Sequence, residues 1–312
     1  MMNKCLVIVG PTAVGKTKLS IDLGLKLKSE IISADSMQIY RGMDIGTAKV
    51  SKKEQKIIKH HMIDIIEPYE SYSVAKFKED ALEIIKNLHD KNKIPLIVGG
   101  TGLYINSITH DLNFDAEKKD DDLRQKIQKE LQEKGNEVFY EKLKEIDPKS
   151  AQKIHPNNTH RLIRALEANI LGKKKFSEVN DNFDSYNNDF DFLIIGLVDD
   201  RKVLYDRIDK RVDDMLDKGL LGECKSIIEK TDQNSQSLKA IGYKEPISYL
   251  NRQISYEAMI DLLKKNSRHY AKRQLTWFRR DDRIKWFDLS DYDNFEDLEI
   301  TVYEMTRKWL DE

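Results

Sequence analysis

The sequence predicts an α/β fold: a parallel sheet flanked by helices, built on a phosphate-cradling P-loop and carrying a small helical insertion domain. Three observations lead there. The apolar run 5–9 feeds directly into Gly10-Pro11-Thr12-Ala13-Val14-Gly15-Lys16-Thr17, which satisfies G-x-x-x-x-G-K-[ST]. A short strand at 30–34 and a fully apolar one at 94–98 end on polar or glycine-rich residues, as strands do whose carboxyl ends open onto a ligand crevice. A densely charged stretch of helical rhythm then intervenes before the last apolar run at 192–198. For a chain of 312 residues the expected division is a core over 1–112 and 192–312 and an insertion over 113–191.

Composition narrows the class further. Hydrophobic residues at 39% suffice for a buried core, while Lys+Arg 53 against Asp+Glu 54 argues neither for nor against a nucleic-acid partner. Local clustering must decide that. Cys5 and Cys224 stand far apart, which speaks against a disulfide or a cysteine metal site and for a reducing compartment. The chain enters its first strand without room for a signal peptide, and 192–198 is too short to span a bilayer, so a cytoplasmic protein with no membrane partner is expected.

In the first motif the glycines let backbone N–H groups close around phosphate oxygens. Lys16 reaches the outer phosphates, Thr17 offers a hydroxyl to Mg²⁺, and the following helix adds free N–H groups and positive dipole. Read alone, the loop points to ATP. Leu19, Leu23 and Leu27 predict one apolar stripe of a helix over 18–28. The strand at 30–34 then ends on Asp35-Ser36-Met37-Gln38, which places Asp35 either beside the phosphates or as a helix cap. Residues 41–73 hold glycines and no sustained period, as a lid or binding loop would, and His60-His61 has no ligand-spaced partner for a metal. A helix is predicted over 73–92. After the strand at 94–98, Gly99-Gly100-Thr101-Gly102 permits close backbone approach and sets Thr101 beside the phosphate site.

The insertion carries Leu123, Ile127, Leu131, Phe139, Leu143 and Ile146 at helical spacings, then a turn and a helix over 155–167 capped by Asn158 or Thr159, and it closes with a polar loop over 180–191. A helix over 201–217 turns Leu204, Ile208 and Val212 inward and leaves Arg207 and Arg211 one turn apart. These suit a phosphate clamp, or a solvated pair neutralised by Asp206 and Asp209. Finally, 264–285 sets nine basic residues, Lys272 and Arg273 among them, against Asp281 and Asp282, with Tyr270, Trp277, Phe278 and Trp286 close by. That combination matches RNA backbone plus unstacked bases, or a surface helix whose aromatics face the core.

Taken together these motifs resemble the tRNA dimethylallyltransferases, also called tRNA isopentenyltransferases. The resemblance runs through 10–17, Asp35-Ser36-Met37-Gln38-Ile39-Tyr40, Asp44-Ile45-Gly46-Thr47-Ala48-Lys49, 99–104, Ile154-His155-Pro156-Asn157-Asn158, 161–167, Ile241-Gly242-Tyr243 and 271–278, almost end to end. It implies transfer of a dimethylallyl group from dimethylallyl pyrophosphate to the exocyclic amine of the adenosine 3′ of the anticodon. Gly10 to Thr17 then grip pyrophosphate, with Mg²⁺ on Thr17. Asp35 takes the amine proton, Thr101 contacts the bridging oxygen, and an arginine clamps the leaving group, Arg211 in preference to Arg207. The tRNA anticodon stem-loop is expected to meet Asp35 to Gln38, Thr101, Arg124, Thr159, His160, Arg161, Leu162, Ile163, Lys272 and Arg273. The pattern is that of the short bacterial form without a Cys/His finger, acting as a monomer. Val14 replaces a small serine common in the family, a change a backbone cradle tolerates. Adenylate isopentenyltransferases share the front half; the insertion and the basic tail favour tRNA. A small-molecule or nucleoside kinase would explain residues 1–110 but not the Arg161 and Lys272-Arg273 regions, and a non-catalytic RNA-binding protein would need neither Asp35 nor Thr101.

Overall fold

The computed structural model describes residues 3–112, 114, 121–172, 175–179, 185–232 and 235–312. The chain forms two compact units, one running to Ile105 and resuming over Asn188–Glu312, the other Asn106–Asn187. The insertion therefore begins and ends a few residues earlier than composition placed it at 113–191. Its first residues belong to an apolar helix that carries no compositional break, and part of the closing loop, 180–184, lies outside the described residues.

The first unit is built on β1 (Asn3–Val9), whose Leu6, Val7, Ile8 and Val9 are fully buried. Such a run is buried on both faces only when strands flank it and helices cover it. It pairs in parallel with β4 (Leu96–Gly99) and β5 (Phe190–Val198), Val9 lying opposite Gly99 on one side and Gly196 on the other. Outside β4 come β2 (Ile31–Ser33) and β3 (His60–His61), and outside β5 comes β6 (Lys285–Asp288), giving the order β3-β2-β4-β1-β5-β6. β5 starts two residues before the apolar run 192–198, because it reaches back to pair with the start of β1.

Around this sheet run α1 (Lys16–Lys26), α2 (Lys52–Ile57), α3 (Val74–His89) and α4 (Gly102–Thr109), and later α10 (Arg201–Asp217), α11 (Leu220–Ile228), α12 (Lys244–Leu250), α13 (Tyr256–Phe278) and α14 (Phe295–Asp311). Leu19 and Leu23 of α1, Leu204 and Ile208 of α10, Ala271 of α13 and Val302 of α14 join the strand residues in one apolar core. α2 breaks the expected irregularity of 41–73. Ser51 caps it in a full capping box with Glu54, a Ser-x-x-Glu signal present in the sequence. His61 binds Glu30 at 2.7 Å and His60 binds the Ile58 carbonyl, so both histidines fix the edge strand.

The second unit contains α5 (Asp121–Lys134), α6 (Asn136–Ile146), α7 (Pro148–Lys153), α8 (Thr159–Leu171) and α9 (Phe176–Val179). Ile127, Leu131, Phe139, Leu143, Leu162, Ile163 and Leu166 form its separate core. Among the described residues no helix is long and apolar enough to cross a membrane.

Candidate active site

The parallel strands bring three loops to one edge of the sheet. The turn after β1 needs both its glycines. Gly10 has φ 146°, and a Cβ there would lie 2.6 Å from the Leu197 carbonyl oxygen; Gly15 has φ 104°, with the Phe295 ring 2.8 Å from the same position. Gly15 is the N-cap of α1 and supplies no side-chain acceptor, so the helix head is left to an anion. Val14 turns its side chain into the core, so this position offers a ligand its backbone alone. Lys16 Nζ donates to the Gly10 and Pro11 carbonyls at 2.9 and 2.7 Å. Burial and the charge of Arg211 push its pKa down to about 7, against the opposing pull of Asp35.

At the end of β2, Asp35 Oδ1 accepts the Met37 N–H at 2.9 Å. Burial raises the Asp35 carboxyl above the ordinary range, opposed by the Met37 and Gln38 N–H groups and by the charges of Lys16 and Arg211. At the end of β4, Thr101 Oγ1 accepts the Ser36 N–H at 3.0 Å, which ties the two loops together. Gly99 permits this approach, because a Cβ there would sit 2.1 Å from the Ala34 oxygen.

Arg207 and Arg211 of α10 divide. Arg211 Nη1 donates to the Thr12 hydroxyl at 3.1 Å, whereas Arg207 is held 2.6 Å from Asp199. Burial lowers the Arg211 pKa while Asp35 and Asp214 support its charge. Of the two carboxylates offered as alternative partners, Asp209 takes both its bonds from Arg268. Thr17, Lys16, Asp35, Arg211, Tyr270 and Arg273 line one cavity of about 950 Å³. Ser36, Met37 and Gln38 line it too, while Thr101 stands just behind Ser36.

The basic segment is less free than its composition implies. Lys264 pairs with Asp213, Arg268 with Asp209 and Arg283 with Asp281, whereas Lys272 and Arg273 are exposed. Of its aromatics, Phe278 is buried, Trp277 packs where Gly102 lacks a side chain, and Trp286 packs on Gly196 in the sheet. Tyr270 alone of the four lines the cavity. In the second unit His160 and Arg161 are exposed and Thr159 is half-buried. Leu162 and Ile163 belong to the core, so their side chains are turned away from any RNA, and Arg124 faces Glu167 at 3.6 Å.

Sequence reasoning missed two residues. Gln274 Oε1 accepts the Thr12 N–H at 2.9 Å and its Nε2 donates to the Gly100 carbonyl at 3.0 Å. Its signal was a polar residue on the buried face of α13, between Ala271 and Phe278. Glu223 accepts the N–H groups of Asp44, Ile45 and Gly46 and the Tyr243 hydroxyl, a convergence over long sequence separations with no local signal.

A glycine-rich turn leading β1 into α1, with a carboxylate and an arginine converging on it, defines an α/β protein built on a parallel sheet with its site at one edge. Within that class, residues 38–281 match the family model described as IPP transferase, and the chain belongs to this family. It is 61% identical to a tRNA dimethylallyltransferase of Finegoldia magna over 99% of both chains, and 46% identical to one of Halalkalibacterium halodurans over 94% and 93%. A tRNA isopentenylpyrophosphate transferase from Bacillus halodurans has a similar structure, with 43% identity, a TM-score of 0.74 and coverage of 99% and 97%. A eukaryotic dimethylallyltransferase captured acting on tRNA is also similar, with 33% identity, a TM-score of 0.78 and coverage of 91% and 73%. None of these relatives supports the kinase alternative.

Proposed function

We propose that the protein transfers the dimethylallyl group of dimethylallyl pyrophosphate to the exocyclic N6 amine of the adenosine immediately 3′ of the tRNA anticodon, position 37, and releases pyrophosphate. The observation that carries the reading is the meeting of Lys16, Arg211 and the Asp35 carboxylate in one cavity, in a chain of this family. Phosphate-seeking groups and a base are needed together only where an anion leaves as a proton is taken.

In the reaction the allylic C–O bond breaks, its electron pair leaves with pyrophosphate, and the N6 lone pair forms the new C–N bond. The amine becomes acidic as that bond forms, and Asp35 accepts its proton. A carboxyl raised by burial is a better base than an ordinary one, and the charges of Lys16 and Arg211 favour its ionised form against that burial. Lys16, Arg211 and the open head of α1 are the groups to stabilise charge on the departing oxygens. Thr101, whose hydroxyl accepts the Ser36 N–H at the edge of the cavity, is the group assigned to the bridging oxygen in this reading. The Thr17 hydroxyl, exposed at the head of α1, is a hard oxygen donor of the kind Mg²⁺ takes alongside ligand phosphates. When bound, the ion supplies further neutralisation of the leaving group.

The adenosine has to be unstacked to reach Asp35, at a cost of roughly a few kcal/mol. Ser36, Met37, Gln38 and Tyr270 line the space that would receive it, and Arg273 and Lys272 are exposed on the same helix as Tyr270. Exposed His160 and Arg161 of the helical unit are the further candidates for the anticodon stem-loop. A tRNA substrate implies a cytoplasmic enzyme, and one chain carries the whole set of residues, as a monomer requires. The test is incubation with dimethylallyl pyrophosphate, Mg²⁺ and an unmodified tRNA bearing that adenosine. A mass gain of one dimethylallyl unit is expected; ATP consumption without prenylated RNA would overturn the reading.

A further inference from the structure

Gln274 joins the two loops that flank the cavity. It is buried on α13, accepts from the P-loop at Thr12 and donates to the glycine loop at Gly100. The fit is close, since a Cβ on Gly100 would stand 2.1 Å from Gln274 Nε2. One turn earlier, the Tyr270 hydroxyl lies close enough to Thr101 and Gln274 for both polar side chains to act on it. A neutral amide can accept from one loop and donate to the other at the same time; an ionised carboxylate cannot donate and an ammonium cannot accept. Thr12 is thereby held from two sides, its N–H by Gln274 and its hydroxyl by Arg211.

We propose that Gln274 is a positioning residue: by fixing the spacing of Thr12 and Gly100 it holds the Arg211 and Thr101 sides of the site on one pyrophosphate. The identity of that anion rests on the proposed function. The requirement is physical, because donors aimed at developing charge lose most of their effect when displaced by a fraction of an ångström.

The test uses two variants of the full chain. Gln274→Met keeps the length and volume but neither bond. It should weaken calorimetric binding of inorganic pyrophosphate with Mg²⁺ about tenfold and lower kcat by ~10²-fold, with tRNA affinity changed less than about twofold. Gln274→Glu keeps the acceptor for Thr12, but its ionised form repels the Gly100 carbonyl and its protonated form donates to it. Burial raises the pKa of such a carboxyl, so its pyrophosphate deficit relative to the wild type should shrink as pH falls from about 8 to 6. A residue with a merely structural role would lower stability without that trend. Wild-type affinity in the Met variant, or a deficit in the Glu variant that does not change with pH, overturns the proposal; should the Met variant not fold, the pH trend alone decides. Because pyrophosphate binding is read directly, failure of the wild-type protein to prenylate tRNA would count against the proposed function and leave this test standing.

Discussion

Arg211 donates to the Thr12 hydroxyl across 3.1 Å, while Arg207, one turn earlier on the same helix, is fixed on Asp199 at 2.6 Å. Only the first of them lines the cavity. Arg211→Ala should therefore raise the Kd for pyrophosphate by about ten- to a hundredfold, the range for loss of a charged hydrogen-bond donor. Arg207→Ala should change it by less than about threefold. Calorimetry with inorganic pyrophosphate separates the two, and equal losses would contradict the division of roles. Arg211→Lys should not restore full affinity, since an ammonium lacks the planar fork.

Asp35 is the carboxylate whose charge acts on both Lys16 and Arg211, and its proposed role as base has two consequences. Asp35→Ala should retain tRNA binding and lose transfer by ~10² to 10⁴-fold in single-turnover assays, the size of a general-base contribution. The raised carboxyl also sets the pH profile. Activity needs the ionised form, so kcat should fall on the acid side at a pH above the ordinary carboxylate value of about 4. Full transfer by Asp35→Ala, or an acid limb at or below that value, would remove the residue from the chemistry.

The buried strands were legible because β1, β4 and most of β5 are apolar runs with glycine or polar ends, a pattern little else produces. β6 was not, since its four residues start on an exposed lysine and end on an aspartate within a basic run. The site was legible where chemistry is local in sequence, as in the loop from Gly10 to Thr17 or in Asp35 at a strand end. It was not where function depends on which partner a side chain meets. Arg207 and Arg211 have the same spacing relation to their helix, and what divides them is Asp199 on one side and Thr12 on the other. Leu162 and Ile163 share a motif with Arg161, yet their apolar character buries them.

Glu223 gathers the N–H groups of Asp44, Ile45 and Gly46 at 2.8–2.9 Å and the Tyr243 hydroxyl at 2.6 Å. Gly46 is there because a Cβ would lie 2.6 Å from the Tyr243 ring. Glu223→Ala releases four donors at once and should lower unfolding stability by about 2–4 kcal/mol, more than Tyr243→Phe, which removes one donor and should cost about 1 kcal/mol. Urea denaturation checks the order. Because Gly46, Thr47 and Ala48 line the cavity, protease sensitivity in this loop should rise in Glu223→Ala but not in Tyr243→Phe.

Asp147 plays the corresponding part inside the helical unit. It caps α7 ahead of Pro148, and its carboxylate accepts from the Ser150 N–H and hydroxyl and from the Ser177 N–H. Burial acts to raise its pKa, but these donors outweigh it and hold the carboxyl below the usual range. A carboxyl with a lower pKa folded than unfolded stabilises the fold fully above the unfolded value of about 4, and that contribution disappears as pH falls through the folded value. Asp147→Asn places an amide donor among three donors and should cost about 2 kcal/mol at pH 7. The deficit should shrink by pH 3, as the wild-type carboxyl itself begins to protonate. Urea denaturation of both proteins at the two pH values measures it; a deficit that stays constant would mean that side-chain shape, and not the ionised carboxylate, holds α7 to α9.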